Sequence, residues 1–422
     1  MTGFTPPFPP PAARAEVERL KGYSAPLEGR RGLLRLDFNE NTVGPSPKVV
    51  AAIRAFPEEL IAVYPEYDGL REALIANLKA SKEGLRHPLA PEQVGVFNGV
   101  DAAIHAVIHA YGAPGDTLLT TSPTFGYYAP CAGMQGMVIE AVHHAMPGFV
   151  FPLEAIRSAL SRRPKILMLC NPNNPTGTRL AADQVLALAA SAPDTLVVVD
   201  ELYEAFTGDS VLPVVDFQTQ ANVLVLRSLA KTAGLAGLRL GFAIGHPGVV
   251  DRVGRVTGPY DVNSLAVAAA FAALEDQAYT NQYVEEVLRA RNWIVTEMTR
   301  SRVVFHCDGG NYLLVWPQRP ADEVEQALRS QGILVRSMSG KPQLDGSLRV
   351  SIGTLEQMQR FWQVHRHSMA CSRISASHRS RCRLRGSQAG TASSPPVEPS
   401  FLPWHRGRAA RHFDHSPGAH RR

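Results

Sequence analysis

The chain has 422 residues, 45% of them hydrophobic and 19% charged, with a formal net charge of +5. That length allows two or three domains with a full core, while the lack of any run of about 18 apolar residues excludes a helical membrane span. The five cysteines, at 131, 170, 307, 371 and 382, show neither metal-ligand spacing nor a paired framework, so no metal site is expected and a reducing cytoplasmic setting is.

The N-terminus is rich in proline (Pro6, Pro7, Pro9, Pro10, Pro11) and lacks the charged-then-apolar order of a signal peptide. Residues 12–22 fit a short helix stopping at Gly22, and Leu33–Phe38 an entry strand ending in the turn-rich Asn39–Pro47. Tyr64–Asp68 reads as a turn, and Leu70, Leu74 and Leu78 repeat along one helix face. From there strand-like runs alternate with helical patterns. The runs are Val94–Phe97, Thr117–Thr121, Met137–Val142, Ile166–Cys170, Leu196–Asp200, Val223–Arg227 and Leu240–Ile244; Asp101–Tyr111 and Ala182–Ser191 are two of the helices. Short runs without polar alternation predict an α/β fold with a mainly parallel sheet covered on both faces. In such sheets ligands sit at the C-terminal strand ends.

After Asn263 the pattern turns α+β. Helices are expected over Ser264–Leu274, Tyr283–Thr299 and Ala321–Ser330, and strands over Val303–His306, Tyr312–Trp316, Ile333–Arg336 and Leu348–Ile352. The resulting organisation is an N-terminal arm, 1–40, joining the small domain; a large domain, 41–262; a small C-terminal domain, 263–368; and a tail, 369–422. From Cys371 onward ten arginines face only Glu398 and Asp414, a net of +8 that leaves −3 on the rest. Rich in Ser, Arg, His and Pro and without an apolar period, that tail reads as a disordered extension, and nucleic acid is not an expected partner.

Chemistry-bearing residues gather at the strand ends. Lys231 stands among small residues, with Ser228 three before it and Arg239 eight after. An amine beside a hydroxyl and a guanidinium suits a phosphorylated aldehyde, pyridoxal phosphate. Asp200, ending another strand, would keep the pyridine nitrogen protonated, and Tyr203 lies three residues on. The turn Asn98-Gly99-Val100 between a strand and a helix favours a phosphate. Cys170–Gly177 holds Asn174 in a double-proline turn, where its amide can donate to the cofactor's phenolic oxygen. Phe125 would stack on the ring. Arg336 and Arg349, on strands of the small domain, suit an anionic substrate.

The order and spacing of these parts, from about Gly22 to about Gln363, resemble the fold-type I, class II-like aminotransferases, and within them the histidinol-phosphate aminotransferases. The carriers include Asn39-Glu-Asn, Tyr64-Pro-Glu, Asn171-Pro-Asn-Asn-Pro-Thr-Gly, Asp200-Glu-Leu-Tyr, Lys231 with Gly234-Leu-Ala-Gly-Leu-Arg-Leu-Gly, and Leu348-Arg-Val-Ser-Ile-Gly-Thr. The resemblance implies Lys231 as the Schiff-base lysine, Asp200 opposite the ring nitrogen, and Asn174 with Tyr203 on the phenolic oxygen. It implies Ser228, Arg239 and the amides after Asn98 on the phosphate, with Tyr64 reaching it from the partner of a homodimer. Arg349 would bind the substrate carboxylate, and Tyr23 and Arg336 its far anion. The partners implied are a small-molecule amino donor and a 2-oxo acid acceptor. The chain departs from the family at Ala230 for Ser, Val100-Asp101-Ala102 for Ser-Asp-Glu, Phe125 for Tyr and Thr42-Val43 after Asn41. Three readings stand at this point. They are histidinol phosphate transamination, transamination of aromatic or other amino acids, and decarboxylation of an amino-acid phosphate on the same fold. A fourth, a catalytically dead regulator, conflicts with intact Lys231, Asp200 and Arg349.

Overall fold

A computed structural model describes residues 10–20 and 28–366 of the chain. Its strands are Leu34–Arg35 (β1), Val94–Phe97 (β2), Thr117–Ser122 (β3), Val138–His143 (β4), Ile166–Cys170 (β5), Leu196–Asp200 (β6), Val223–Ser228 (β7) and Gly241–Gly245 (β8). Val304–His306 (β9), Tyr312–Trp316 (β10), Ile333–Leu334 (β11), Arg336–Ser337 (β12) and Leu348–Ser351 (β13) follow.

All seven apolar runs of the first half enter one sheet, in the order β2-β8-β7-β6-β5-β3-β4. Every residue of β5 and β6 is buried, because helices cover both faces. Val197 and Val199 pack into one cluster with Leu70, Leu74, Val185 and Ala266. Val198 points the other way, into a cluster with Ile104, Val107 and Leu118. Each such side chain contributes about 1.5–3 kcal/mol on burial. A one-residue slip would exchange the two faces, so register is firmly set.

Only β8 departs from the parallel direction. It pairs antiparallel with β2 and β7, while β3, β4, β5, β6 and β7 pair in parallel. Its first residue, Gly241, lies opposite both Phe97 and Ser228. The start of β8 therefore sits at the edge where its neighbours end.

The second half forms an antiparallel sheet, β12-β13-β10-β9, packed with helices Gln277–Arg300 and Ala321–Ser330 over a separate cluster. β1, from the N-terminal side, pairs in parallel with β11 in a separate two-stranded sheet.

Several expected boundaries move. The entry strand keeps ladder pairing only at Leu34–Arg35; beyond Leu36 the chain leaves the ladder and is held by side chains. Ile333–Arg336 divides, its first two residues pairing with β1 and Arg336 with Arg349 of β13. The helix expected at Tyr283 begins at Gln277. Its buried stripe, Tyr283, Val287, Ala290, Ile294 and Met298, starts two turns in, and polar turns carry no period. Of the helix expected over 12–22, Ala15–Glu18 forms, exposed and without a side-chain cap; Gly22 lies outside the described residues. No helix among the described residues is long and apolar enough to cross a membrane.

Candidate active site

The parallel strands end on one edge, and the chemically marked residues meet there. Asp200 closes β6 and is 2% exposed. Its Oδ2 accepts from the Tyr128 hydroxyl at 2.6 Å and its Oδ1 from the Leu202 amide at 3.3 Å. Burial pushes its carboxyl up to about 6, the Tyr128 bond opposing that rise.

Lys231 lies just past the end of β7 and donates from Nζ to the Phe38 carbonyl at 3.0 Å. Its pKa is lowered to about 8, first by burial and then by the positive charge of Arg349. About one-tenth of it is therefore neutral at pH 7 and about half at pH 8, and the neutral amine is the nucleophile.

The loop that receives Lys231 explains the Asn39-Glu-Asn motif. Asn39 adopts φ of 54°, a conformation that Asn tolerates better than most residues. Its amide donates to Tyr203 Oη at 3.1 Å, and its oxygen accepts from Ser351 Oγ. Glu40 pairs with Arg30, which also binds Asp37. The Asn41 side chain reaches the carbonyl of Thr232, next to the lysine. Tyr203 Oη accepts a second amide, Asn174 Nδ2 at 3.3 Å. Asn174 Oδ1 accepts in turn from Arg349 Nη1 at 2.9 Å, and Arg349 Nη2 donates to the Asp37 carbonyl. Tyr203, Asn174, Asn39 and Arg349 thus form one network.

A second cationic centre forms where β8 begins. Arg239, in the left-handed region at φ 59°, donates to Asp101 Oδ2 at 2.7 Å. A Cβ on Gly99 would lie 2.6 Å from Arg239 Nη2, and one on Gly241 would lie 2.6 Å from the Val100 nitrogen. Glycine at both positions lets backbone amides and a guanidinium share a small space. No side chain caps Gly99–Tyr111, the helix that opens there, so its first amides are available to an anion. Ser228 Oγ donates to the Leu240 carbonyl and accepts from the Ala230 amide.

Next to these groups is a cavity of about 610 Å³, lined by Phe38, Phe125, Asn174, Tyr203, Lys231, Arg336 and Arg349 among others. Phe125 meets Tyr128 edge-on at 5.4 Å. Tyr64 is 71% exposed and stacks on Tyr260, ring centroids 4.1 Å apart. Tyr23 lies outside the described residues. Three residues without a chemical signature of their own join the site: Tyr128 on Asp200, Asn39 on Tyr203, and Lys341 in the cavity wall. Asn39 belongs to the Asn39-Glu-Asn motif; Tyr128 and Lys341 carry no comparable pattern in the sequence.

Comparison with known proteins agrees with this arrangement. The family model for aminotransferase class I and II matches residues 31–364. The histidinol-phosphate aminotransferase of Symbiobacterium thermophilum is 35% identical over 83% of this chain and 96% of that protein. That of Geotalea uraniireducens is 33% identical over 84% and 98%. The crystal structure of histidinol-phosphate aminotransferase from Sinorhizobium meliloti in complex with pyridoxal-5'-phosphate superposes with a TM-score of 0.73 at 25% identity, covering 84% of this chain and 98% of that one.

Proposed function

The chain belongs to the aminotransferase class I and II family, and on that premise we propose that it moves the amino group of histidinol phosphate to 2-oxoglutarate, giving imidazole acetol phosphate and glutamate. Its cofactor is pyridoxal 5'-phosphate. The names of the relatives support the substrate. The observation in this chain that carries the reading is a single cavity in which a partly neutral lysine shares its walls with two arginines.

The residues fit that cofactor. Lys231 offers an amine reactive toward an aldehyde. Asp200 is buried, and among the described residues the Tyr128 hydroxyl and the Leu202 amide are the donors to its oxygens. A buried carboxylate without a cation is costly, and a protonated ring nitrogen would supply one. The Gly99–Gly241 cradle, Arg239 and the helix N-terminus suit a phosphate; Ser228 would join them by giving up Leu240.

Bound there, pyridoxal phosphate supplies an aldehyde for amine exchange and a ring that takes up an electron pair. The rest belongs to the chain. Lys231 Nζ takes the proton from the α carbon of the donor, a transfer favoured by a pKa near the working pH. Asp200 would offer its negative charge to the ring nitrogen, where charge develops. Tyr203 and Asn174 would hold the phenolic oxygen, and Phe125 would pack on the ring. Arg349, fixed by Asn174 and Asp37, binds the substrate anion with a planar fork. The same pocket serves donor and acceptor in turn, so the kinetics are ping-pong. The exposed Tyr64, with Ile61 and Val63 beside it, supports a homodimer in which Tyr64 completes the partner's phosphate site.

Stopped-flow spectra of the loaded enzyme with one donor at a time test the reading. Histidinol phosphate should convert the cofactor to its amine form with a higher kcat/KM than phenylalanine. Conversion by phenylalanine and none by histidinol phosphate would make this a broad amino-acid aminotransferase instead. Release of carbon dioxide would make it a decarboxylase.

A further inference from the structure

The cavity has an unusual charge balance. Four cations line it, Lys231, Arg336, Lys341 and Arg349, and no aspartate or glutamate does among the described residues. Lys341 belongs to the turn that follows β12. Asp322, Glu325 and Asp345 reach the same turn, but they accept from the Ser337 hydroxyl, the Ser337 amide and the Gly340 amide. They thereby fix Ser337 and Gly340 in place.

Arg349 is tied to Asn174, and its positive charge lowers the pKa of Lys231. Arg336 pairs across the ladder with Arg349, and its guanidinium lies over the Phe38 ring at 6.0 Å. Lys341 is influenced by Arg336 and Arg349, and its pKa falls, through burial first and those two charges next. Lys341 itself is exposed.

The turn holds Lys341 in place. The Lys341 amide donates to Met338 and its carbonyl accepts from Leu344. Met338 and Leu344 pack with Phe149 and Leu314, and Gln343 anchors to the His144 carbonyl at 3.0 Å. Three like charges on one wall repel unless an anion bridges them. A phosphomonoester dianion answers that charge better than a single carboxylate does.

We propose that Lys341 is a specificity-determining residue that binds the phosphate of the donor together with Arg336, a proposal that rests on the phosphorylated-donor reading above. Histidinol phosphate carries a single anion, its phosphate, so Arg349, the cross-strand partner of Arg336, borders the same site. The phosphate of the cofactor does not compete for this wall, since Arg239, Ser228 and the Gly99 turn lie outside the cavity lining.

The test compares the loaded wild type with Lys341→Ala and Lys341→Arg. Histidinol phosphate, its dephosphorylated form and glutamate serve as donors, and inorganic phosphate as inhibitor. Lys341→Ala should lower kcat/KM for histidinol phosphate about ten- to a hundredfold, chiefly through KM, with under about threefold change for histidinol. The inhibition constant of inorganic phosphate, measured with glutamate as donor, should rise by a similar factor, and Lys341→Arg should recover most of both. Equal losses on the two histidinol donors, or an unchanged inhibition constant, would overturn the proposal and leave Lys341 a solvated lysine. A wild type inert toward histidinol phosphate would refute the donor reading alone, because the phosphate inhibition would still decide the role of Lys341.

Discussion

Replacing Tyr128 with phenylalanine removes one hydroxyl and changes the charge state of Asp200. The hydroxyl is buried, donates to Asp200 Oδ2 at 2.6 Å, and opposes the burial that lifts this carboxyl to about 6. A hydrogen bond to a charged acceptor contributes roughly 1.5–3 kcal/mol, and one pKa unit corresponds to about 1.36 kcal/mol. Losing it should therefore raise the Asp200 pKa by about one to two units, to about 7–8. At pH 7 the ionised fraction then drops from about nine-tenths to between about one-half and one-tenth. A protonated ring nitrogen needs the ionised form, so affinity for pyridoxal phosphate should fall roughly two- to tenfold at pH 7 and return to the wild-type value by about pH 9. Equilibrium titration of the cofactor-free protein, followed by cofactor absorbance from pH 6 to 9, measures this directly. If the variant lost affinity equally at every pH, Tyr128 would be a packing residue and the link to Asp200 would be wrong.

Lys231→Ala should bind cofactor but lose turnover by several orders of magnitude; borohydride should fix cofactor to wild type and not to the variant, as mass spectrometry reads. Asp200→Asn tests the cost of a buried carboxyl in the cofactor-free protein. Its folded pKa, about 6, exceeds the unfolded value of 3.8, so the folded state binds more protons between them and wild-type stability falls as pH rises from about 4 to 6. Relative to wild type, Asp200→Asn should gain up to about 3 kcal/mol across that window in denaturant midpoints; a constant difference would mean that Asp200 titrates normally. Arg349→Lys keeps the charge but loses the fork that meets Asn174 and Asp37, and should lower kcat/KM of both half-reactions about ten- to a thousandfold, or roughly 1.4–4 kcal/mol. Co-expressed Tyr64→Ala and Lys231→Ala chains should recover about a quarter of wild-type activity if sites are shared across a dimer, and about half if each chain works alone, since Tyr64 then has no part in the site.

The order of elements was legible because burial leaves a periodic trace. Val197, Val198 and Val199 belong to a covered strand and admit no polar alternation. Leu70 and Leu74 mark a helix face. The boundaries that moved lie where such a trace is missing: the polar turns Gln277–Gln282 ahead of Tyr283, and the stretch after Leu36 that side chains hold instead of a ladder. Lys231, Asp200 and Asn174 stood out since a lysine among small residues, an acid at a strand end and an Asn between prolines are each uncommon. Tyr128 had no such mark. It follows Phe125 in an aromatic-rich turn, and only the fold reveals that its hydroxyl meets a carboxyl 72 positions away.

Arg239 shows why direction matters as much as order. In the sequence it precedes a strand, whereas Asn98, Asn171, Asp200 and Ser228 follow or end one. In an all-parallel sheet a residue just ahead of a strand would sit on the far edge, a strand length from the others. Because β8 runs antiparallel, its beginning falls where β2 and β7 finish, with Gly241 opposite Phe97 and Ser228. That reversal puts the guanidinium against Gly99, and the two glycines keep the space between them open. Either glycine changed to a larger residue would force backbone and guanidinium apart, since a Cβ would stand 2.6 Å from them. The small-residue run after Lys231 thus does two things: it frees the lysine from crowding, and it returns the chain in the one direction that brings Arg239 back to the same edge.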